Sequence, residues 1–226
     1  MTQENLAGKG AKSVKSSQTP VKLEDMIARL EDYVNKFTER ISDIMRADNG
    51  NIYTPDLYIL PLLNRAVSLT SGFIILSKEK NYLCAVPLIR LQLDNSLRFH
   101  ATNLVDNPDD LVQVWLKGGY IGNLLDRKGK KLNDTYLSGQ LDKIFPGVKK
   151  LYKNTSGYVH LSDMHFYATI QQSGPGEGRM HFGNGPDLFT YEQEVNFAHQ
   201  MGESCKLVLI MTEEYKDQKQ AKSKST

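Results

Sequence analysis

The chain has 226 residues, of which 40% are hydrophobic and 24% are charged. This composition is ordinary for a soluble globular protein, and the length suffices for one sizeable core or at most two small ones. The formal net charge of +2 is too small to indicate nucleic-acid binding by itself.

Both ends of the chain are polar and rich in lysine. Residues 1–18 and 217–226 are predicted to be disordered basic tails, because they hold few apolar residues that could join a core. Contact with phosphate groups is the alternative role for such tails. Residues 19–216 are expected to form a single domain, since no internal repeat or break in composition divides them.

The two cysteines, Cys84 and Cys205, each lie in an apolar helical pattern. Two buried thiols are expected in a reducing compartment rather than in a disulfide scaffold.

Residues 57–76 are the most apolar run, but Asn64 and Arg65 at its centre predict a buried helix rather than a membrane span. The N-terminus lacks the apolar core of a signal peptide, and we therefore predict a cytoplasmic protein with no membrane contact.

Helical periodicity and helix-start signals divide most of the chain into predicted helices. Thr19-Pro20 and Thr54-Pro55 each resemble an N-cap followed by proline in the first turn. Apolar residues then recur every three or four positions. The predicted helices run from Thr19 to Arg46, Thr54 to Leu76, Asn81 to Val105, Asn107 to Gly118, Asn133 to Ile144, and from Pro146 into the segment 151–160.

The helical pattern breaks at His165. His165–Ile170 alternates apolar and polar residues with period two, and Arg179–Phe182 does so more briefly. Residues 173–178 between them are rich in glycine, as expected of a connector. A small β-hairpin over about 165–183 is therefore predicted.

A last helix is predicted to begin at Thr190, which forms a capping-box pattern with Gln193. The predicted fold is all-α: a helical bundle with a small β-hairpin inserted before the C-terminal helix.

The central helix, Asn81–Val105, is apolar on nearly every side, which is typical of a buried helix. Arg90, Asp94 and Arg98 are spaced i, i+4 and i+8 and form one charged stripe along it. Buried charges are costly unless they are paired. The stripe is therefore either an internal ion-pair ladder completed by an acid from elsewhere in the bundle, or a site for a phosphate, a carboxylate or an acidic residue.

Polar and titratable residues are concentrated in a second segment, Ser156–Asp163, where a helix is expected to end. His160 could act as a general acid, a general base or a hydrogen-bond donor. The alternative is a histidine that caps the helix or lies satisfied in the core. A serine hydrolase is not favoured, because the strand–turn–helix context that exposes a nucleophilic serine is missing.

No metal or cofactor is predicted. The metal-ligand candidates do not have the spacing that places two ligands on one helical face. These candidates are His160, Asp163, His165 and His181. The glycine-rich segments 118–122 and 173–178 match neither a dinucleotide-binding nor a phosphate-binding loop, and we interpret them as a helix stop and a hairpin loop.

Tyrosines and lysines, Lys153 among them, interleave over the middle of the chain. Basic and aromatic residues together can bind single-stranded nucleic acid through charge and stacking. A solvated helix face whose tyrosines are anchored in the core would have the same pattern, and both interpretations stay open.

Two segments together resemble a known group of proteins. The pattern L-I-R-x3-D at 88–94, followed by L-Y-K-x-T-S-G-Y-V-H at 151–160, resembles uncharacterised bacterial all-helical proteins that are similar to the HEPN superfamily. That superfamily includes ribonuclease toxins, antiphage effectors and non-catalytic partners. The resemblance covers roughly residues 57–163, and its motif residues correspond to Arg90, Asp94, Ser156 and His160.

The chain departs from the catalytic HEPN pattern, in which an arginine precedes a histidine by five to seven residues on one helix. Arg90 and His100 are too far apart for that pattern. Lys153 precedes His160 at a suitable spacing but is lysine rather than arginine. The resemblance also implies a dimer formed across helical faces.

The resemblance thus implies a HEPN-like effector or accessory protein of bacterial defence or toxin–antitoxin type, which contacts RNA or a protein partner. It also implies a homodimer, but the apolar character of residues 83–105 fits burial inside a monomer equally well. Its catalytic form would be a metal-independent ribonuclease. The alternative function is a non-enzymatic helical interaction or small-anion-binding module. The predicted catalytic residues are His160, Arg90 and Asp94, and the predicted binding residues are Arg98, Ser156, Tyr158 and Lys153.

Overall fold

The computed structural model describes residues 22–160, 162, 165–166, 169–174, 177–180 and 188–223. Within these ranges the fold is an all-α bundle with one β-hairpin before the last helix, as the sequence predicts. The helices are α1 (Leu23–Arg46), α2 (Asp56–Lys78), α3 (Tyr82–Thr102), α4 (Pro108–Leu116), α5 (Asp134–Asp142), α6 (Val148–Ser156) and α7 (Tyr191–Ser223).

Helix α3 is central in the bundle, packing against α2, α5, α6 and α7, and α1 closes the core against α2 and α7. The core side chains come from all the long helices, and each contributes roughly 1.5–3 kcal/mol by leaving water. Fully buried examples are Phe37, Leu63, Phe73, Ile89, Leu97 and Met201. The prediction that the helix apolar on nearly every side is the buried one is confirmed.

Side-chain caps determine where three of the helices begin. Asn107 accepts a hydrogen bond from the amide of Asp109 (3.1 Å), and Asn133 accepts one from the amide of Tyr136 (2.9 Å). Thr190 and Gln193 form the predicted capping box, with reciprocal bonds of 2.8 and 3.3 Å. Because these side chains satisfy amides that lack partners within the helix, the predicted starts of α4, α5 and α7 are confirmed to within a residue.

The hairpin consists of β1 (Ile170–Gly174) and β2 (Glu177–Met180), which pair antiparallel with Ile170 opposite Met180. The predicted first strand, His165–Ile170, is wrong over its first part, since residues 165, 166 and 169 are helical. The hydroxyl of Thr169 donates to the carbonyl of His165 (2.8 Å), a local bond of the helical i to i−4 type that competes with strand pairing. The hairpin itself is confirmed, but it begins later than predicted.

The predicted C-terminal tail is also wrong for residues 217–223, because α7 continues to Ser223. Lys219 is buried, and its Nζ lies 2.8 Å from Asp56 Oδ2 and 2.8 Å from the carbonyl oxygen of Ile44. A fully buried carboxylate requires a counter-charge, and α7 extends far enough to bring one. The predicted N-terminal tail lies outside the described residues.

The two cysteines differ in environment. Cys205 is buried, and desolvation raises the pKa of its thiol to about 12. Cys84 is exposed, contrary to the prediction. Core-facing positions in the first turns of α3 are taken by Tyr82, Ala85 and Val86, which leaves Cys84 on the opposite side of the helix.

Helix α2 is long and apolar enough to cross a membrane by length and composition, with a mean hydropathy of 1.6. The core helix of a soluble bundle meets the same test. In the fold α2 packs between α1 and α3, and 39% of its most apolar window is buried.

Candidate functional site: an arginine-lined cavity beside α3

The charged stripe of α3 is paired with a second acidic residue, Asp134, which lies on α5. Arg98 Nε lies 3.3 Å from Asp94 Oδ1, and Arg98 Nη2 also donates to Asp134 Oδ1. Arg90 Nη2 lies 3.2 Å from the other oxygen of Asp134. Asp134 is the first residue of α5, where the helix dipole favours a negative charge. The two arginines of the stripe are therefore linked through one carboxylate supplied by another helix.

At the Arg90 end this ladder is closed by Tyr152 of α6. The Arg90 guanidinium lies 3.6 Å from the centre of the Tyr152 ring and also donates to its hydroxyl. That hydroxyl donates in turn to Asp134 Oδ2 at 3.0 Å. Burial raises the pKa of Tyr152 to about 12, although the positive charge of Arg90 acts in the opposite direction. This end of the stripe is an internal ion-pair ladder.

At the Arg98 end the stripe borders a cavity of about 390 Å³. Its polar wall is formed by Arg65 of α2 with Asp94, Asn95 and Arg98 of α3. Arg65 Nη1 lies 2.5 Å from Asn95 Oδ1 and 3.4 Å from Asp94 Oδ2. Volumes of this order are typical of small-molecule sites, which span roughly 300–1,000 Å³.

The arginines of this cavity have unused hydrogen-bonding capacity. Arg65 is 41% exposed at its side chain, and its described hydrogen bonds use Nη1 alone. A guanidinium has five N–H donors, so Nε and Nη2 of Arg65 are available to a ligand within the described structure. Arg98 Nη1 is buried and has no hydrogen-bond partner among the described residues.

Positive charge is in excess in the cluster as a whole. Three arginines face two aspartates in the described structure, which leaves one positive charge uncompensated. Burial lowers the pKa of Arg98, but Asp94 and Asp134 outweigh it and hold that pKa above its usual value. The three arginines of this cluster are Arg65, Arg90 and Arg98, and its two aspartates are Asp94 and Asp134.

Three aromatic side chains, Tyr58, Trp115 and Tyr120, also line the cavity. Tyr58 and Trp115 make an edge-to-face contact with 5.0 Å between ring centroids, and the ring of Tyr120 lies 5.7 Å from the Arg98 guanidinium. A side chain at Gly122 would overlap the Tyr120 ring, so glycine at this position permits Tyr120 to lie over the chain that comes after it. The segment 118–122, interpreted from the sequence as a helix stop, follows the end of α4, and its residues Gly119, Tyr120 and Ile121 line the cavity.

A chain of buried polar groups lies behind Arg65. Asn95 Nδ2 donates to Gln92 Oε1 at 3.0 Å, and Gln92 Nε2 donates to the Cys205 sulfur at 3.6 Å. Asn95 and Gln92 are both buried. With its amide nitrogen held by Gln92, Asn95 presents its oxygen to Arg65 and so orients the guanidinium.

The second predicted segment, Ser156–Asp163, is connected to the stripe through Tyr152, which lies one turn earlier on α6. The Ser156 hydroxyl donates to the Tyr152 carbonyl at 2.7 Å, and Tyr158 is buried in edge contact with Phe197. Lys153 and His160 are exposed. Among the described residues that line the cavity are Asp94 and Arg98, but neither Arg90 nor His160.

The metal-ligand candidates are described only in part. His165 Nδ1 accepts a hydrogen bond from the Ser162 amide at 3.4 Å. Asp163 and His181 lie outside the described residues. Within the described ranges no three histidine, cysteine, aspartate or glutamate side chains are grouped so that they could hold a metal ion.

Sequence reasoning missed the residues that turn the stripe into a cavity wall. Asp134 is recognisable from its Asn-Asp pattern only as a helix start, and Arg65 only as a charge in an apolar helix.

No family model, curated protein or solved structure matches the chain. A function for this chain is therefore inferred from the geometry of the cavity.

Proposed function

We propose that this protein is a non-catalytic ligand-binding module that holds a small organic anion in the cavity beside α3. The observation that carries the proposal is the uncompensated positive charge of the arginine cluster, set on the wall of a cavity of ligand size. A closed ion-pair ladder would balance its charges and leave no accessible donors. Here Arg65 is accessible, and its described bonds leave two of its nitrogens available.

Arg65 is the residue expected to contact the anion directly. Asp94 and Asn95 hold Nη1, so the guanidinium is already oriented before a ligand arrives. Preorganised donors lose less conformational entropy on binding, which increases affinity. Arg98 contributes its charge from behind, because it is the more buried of the two arginines.

Thermal unfolding in the presence of small anions tests the proposal. The probes are acetate, phosphate and phenylacetate at one ionic strength, with chloride as the reference. A ligand that binds only the folded state raises the unfolding midpoint in a concentration-dependent way. We expect at least one probe to do so for the wild type and for Arg29→Gln, which changes an exposed arginine on α1.

Arg65→Gln is expected to abolish that rise. This variant should fold, because Arg65 is well exposed and its aspartate partner also contacts Arg98. The proposal is wrong if none of the probes stabilises the wild type, or if the same probe stabilises Arg65→Gln equally.

The HEPN-like ribonuclease, its RNA or protein partner and its homodimer stay predictions. A catalytic site would need His160, which is exposed, to act with Arg90, whose guanidinium is held by Asp134 and Tyr152. RNA incubated with the protein in chelator tests it, beside folded His160→Ala and Arg90→Ala variants. Absence of cleavage by the wild type, or equal cleavage by both variants, contradicts ribonuclease activity at this site.

A further inference from the structure

The charge of the cavity wall limits the charge of its ligand. The arginine cluster has one positive charge in excess. Asp94 lies on the same wall and repels a second negative charge on the ligand. Phosphate groups carry between about 1.5 and 2 negative charges near neutral pH, whereas a carboxylate carries one. The wall therefore matches a monocarboxylate better than a phosphate.

The planar fork of Arg65 favours the same group. Two nitrogens of one guanidinium can bond the two oxygens of a carboxylate in parallel. Both oxygens of Asp94 are already engaged, one by Arg98 at 3.3 Å and the other by Arg65 at 3.4 Å. The charge of Asp94 is therefore already paired with guanidinium groups of the protein, so an ammonium group on the ligand is not required to balance it.

The remaining wall favours a flat apolar body. Tyr58, Trp115 and Tyr120 present aromatic surface, and Leu62 and Ile121 add aliphatic surface. Tyr120 is 58% exposed, so its ring has apolar area that a ligand could remove from water. Aromatic rings pack well against one another in offset or edge-to-face arrangements.

We infer that the ligand is a monocarboxylate attached to a single planar apolar ring, the class to which arylacetic acids belong. This inference rests on the proposed function, because it specifies the anion that the same cavity binds. The volume of about 390 Å³ lies near the lower end of the range for small-molecule sites, roughly 300–1,000 Å³. One ring with a short carboxylate arm matches that space.

The chain provides its own probe of binding. Trp115 is the only tryptophan in the sequence and lines the cavity, so its fluorescence reports on occupancy. Phenylacetate, uncharged phenylacetamide, acetate and phosphate are titrated separately against the wild type. We expect phenylacetate to bind at least about tenfold more tightly than each of the other three, since it alone has both the charge and the ring.

Two glycine variants separate recognition of the ring from recognition of the charge. Gly122→Ala forces the Tyr120 ring to move and should weaken phenylacetate binding several-fold without changing the affinity for acetate. Gly139→Ala is the matched control, because a Cβ at this position of α5 meets nothing within 4 Å. It should leave every affinity unchanged.

The outcomes distinguish the inference from the proposed function. If phosphate or acetate binds through Arg65 as tightly as phenylacetate does, or if Gly122→Ala leaves phenylacetate affinity unchanged, the inference is overturned and anion binding stands. If phenylacetamide binds as tightly as phenylacetate, or if Arg65→Gln retains wild-type affinity, both are overturned. If no probe changes Trp115 emission or the unfolding midpoint, both are likewise overturned.

Discussion

The bundle contains two clusters of charged side chains that differ, one with balanced charges and one with an excess of positive charge. Asp56, at the start of α2, is fully buried and accepts hydrogen bonds from Lys219 Nζ (2.8 Å), the Tyr53 amide (2.7 Å) and the Tyr215 hydroxyl (2.8 Å). Lys219 bonds the Ile44 carbonyl as well. One negative and one positive charge are thus balanced.

The arginine cluster beside α3 is balanced at one end only. Arg90 is enclosed by Asp134 and Tyr152, whereas Arg65 is half-exposed at a cavity and Arg98 has a buried nitrogen without a partner in the described structure. The Lys219–Asp56 pair is buried on both sides, so a ligand cannot reach it and its role is to hold helices together. The excess charge and the adjoining space are what make the second cluster a candidate site.

The largest expected effect comes from breaking the balanced pair. Lys219→Met leaves Asp56 buried without a counter-charge and should lower the free energy of unfolding by about 3–5 kcal/mol. Urea denaturation measures the loss. Lys206→Met, at an exposed lysine of the same helix, should change it by no more than about 0.5 kcal/mol.

The double variant Asp56→Leu with Lys219→Met tests whether the lost stability comes from the unpaired buried charge of Asp56. It removes both charges and should recover part of the lost stability, because no buried charge is left unpaired. Recovery should be incomplete, since the Tyr53 amide and the Tyr215 hydroxyl lose their acceptor. A Lys219→Met variant as stable as the wild type would show that this pair does not hold α7 to α2.

Removing Asp134 should separate stability from binding. Asp134→Asn takes a shared acceptor charge from Arg90 and Arg98 and should cost about 1–3 kcal/mol. The same change raises the excess positive charge, so affinity for phenylacetate should increase. Asp110→Asn is the control, since Asp110 also lies in the first turn of a helix but is exposed. Unchanged or weaker binding by Asp134→Asn would contradict the charge argument.

His100 extends the comparison to a buried ionisable group that has no charged partner among the described residues. Its Nε2 has no hydrogen-bond partner in the described structure, and burial lowers its pKa below the usual value. Just below pH 6.5, therefore, His100 binds a proton in the unfolded chain but not in the folded chain. Stability should be full above that pH and should fall as the pH decreases from about 6.5 towards the lower pKa of the folded state.

This smaller effect is measured as the free energy of unfolding at several pH values between neutral and weakly acidic. His100→Gln should show a weaker dependence on pH over that window than the wild type does. His160→Gln, at an exposed position, is the control. A wild type that becomes more stable on acidification would contradict the assignment.

Much of the fold was predictable because it depends on local patterns. The continuous apolar character of α3 predicted its central position, and Asn107, Asn133 and Thr190 predicted helix starts through bonds to amides two or three residues away. The stripe was likewise visible from spacing within one helix. Features that depend on a single helix can thus be predicted from the sequence of that helix.

The partners of the stripe were not predictable because they depend on which helices meet. Asp134 lies 36 residues beyond Arg98 in sequence, and nothing in its local pattern indicates which helix it will face. The burial of Lys219 was unpredictable for the same reason. Lys219 lies in a polar C-terminal segment, and it is buried because it pairs with Asp56 on another helix. The cavity forms where α2, α3 and the segment after α4 converge, and this convergence exists only in the fold.

A crystal structure of the protein grown with phenylacetate tests the central claim most directly. We expect the ligand in the cavity, with its carboxylate oxygens within about 3.2 Å of Arg65 Nε or Nη2 and its ring against Tyr120. A cavity that holds only water at saturating phenylacetate, or a carboxylate bound away from Arg65, would contradict the claim.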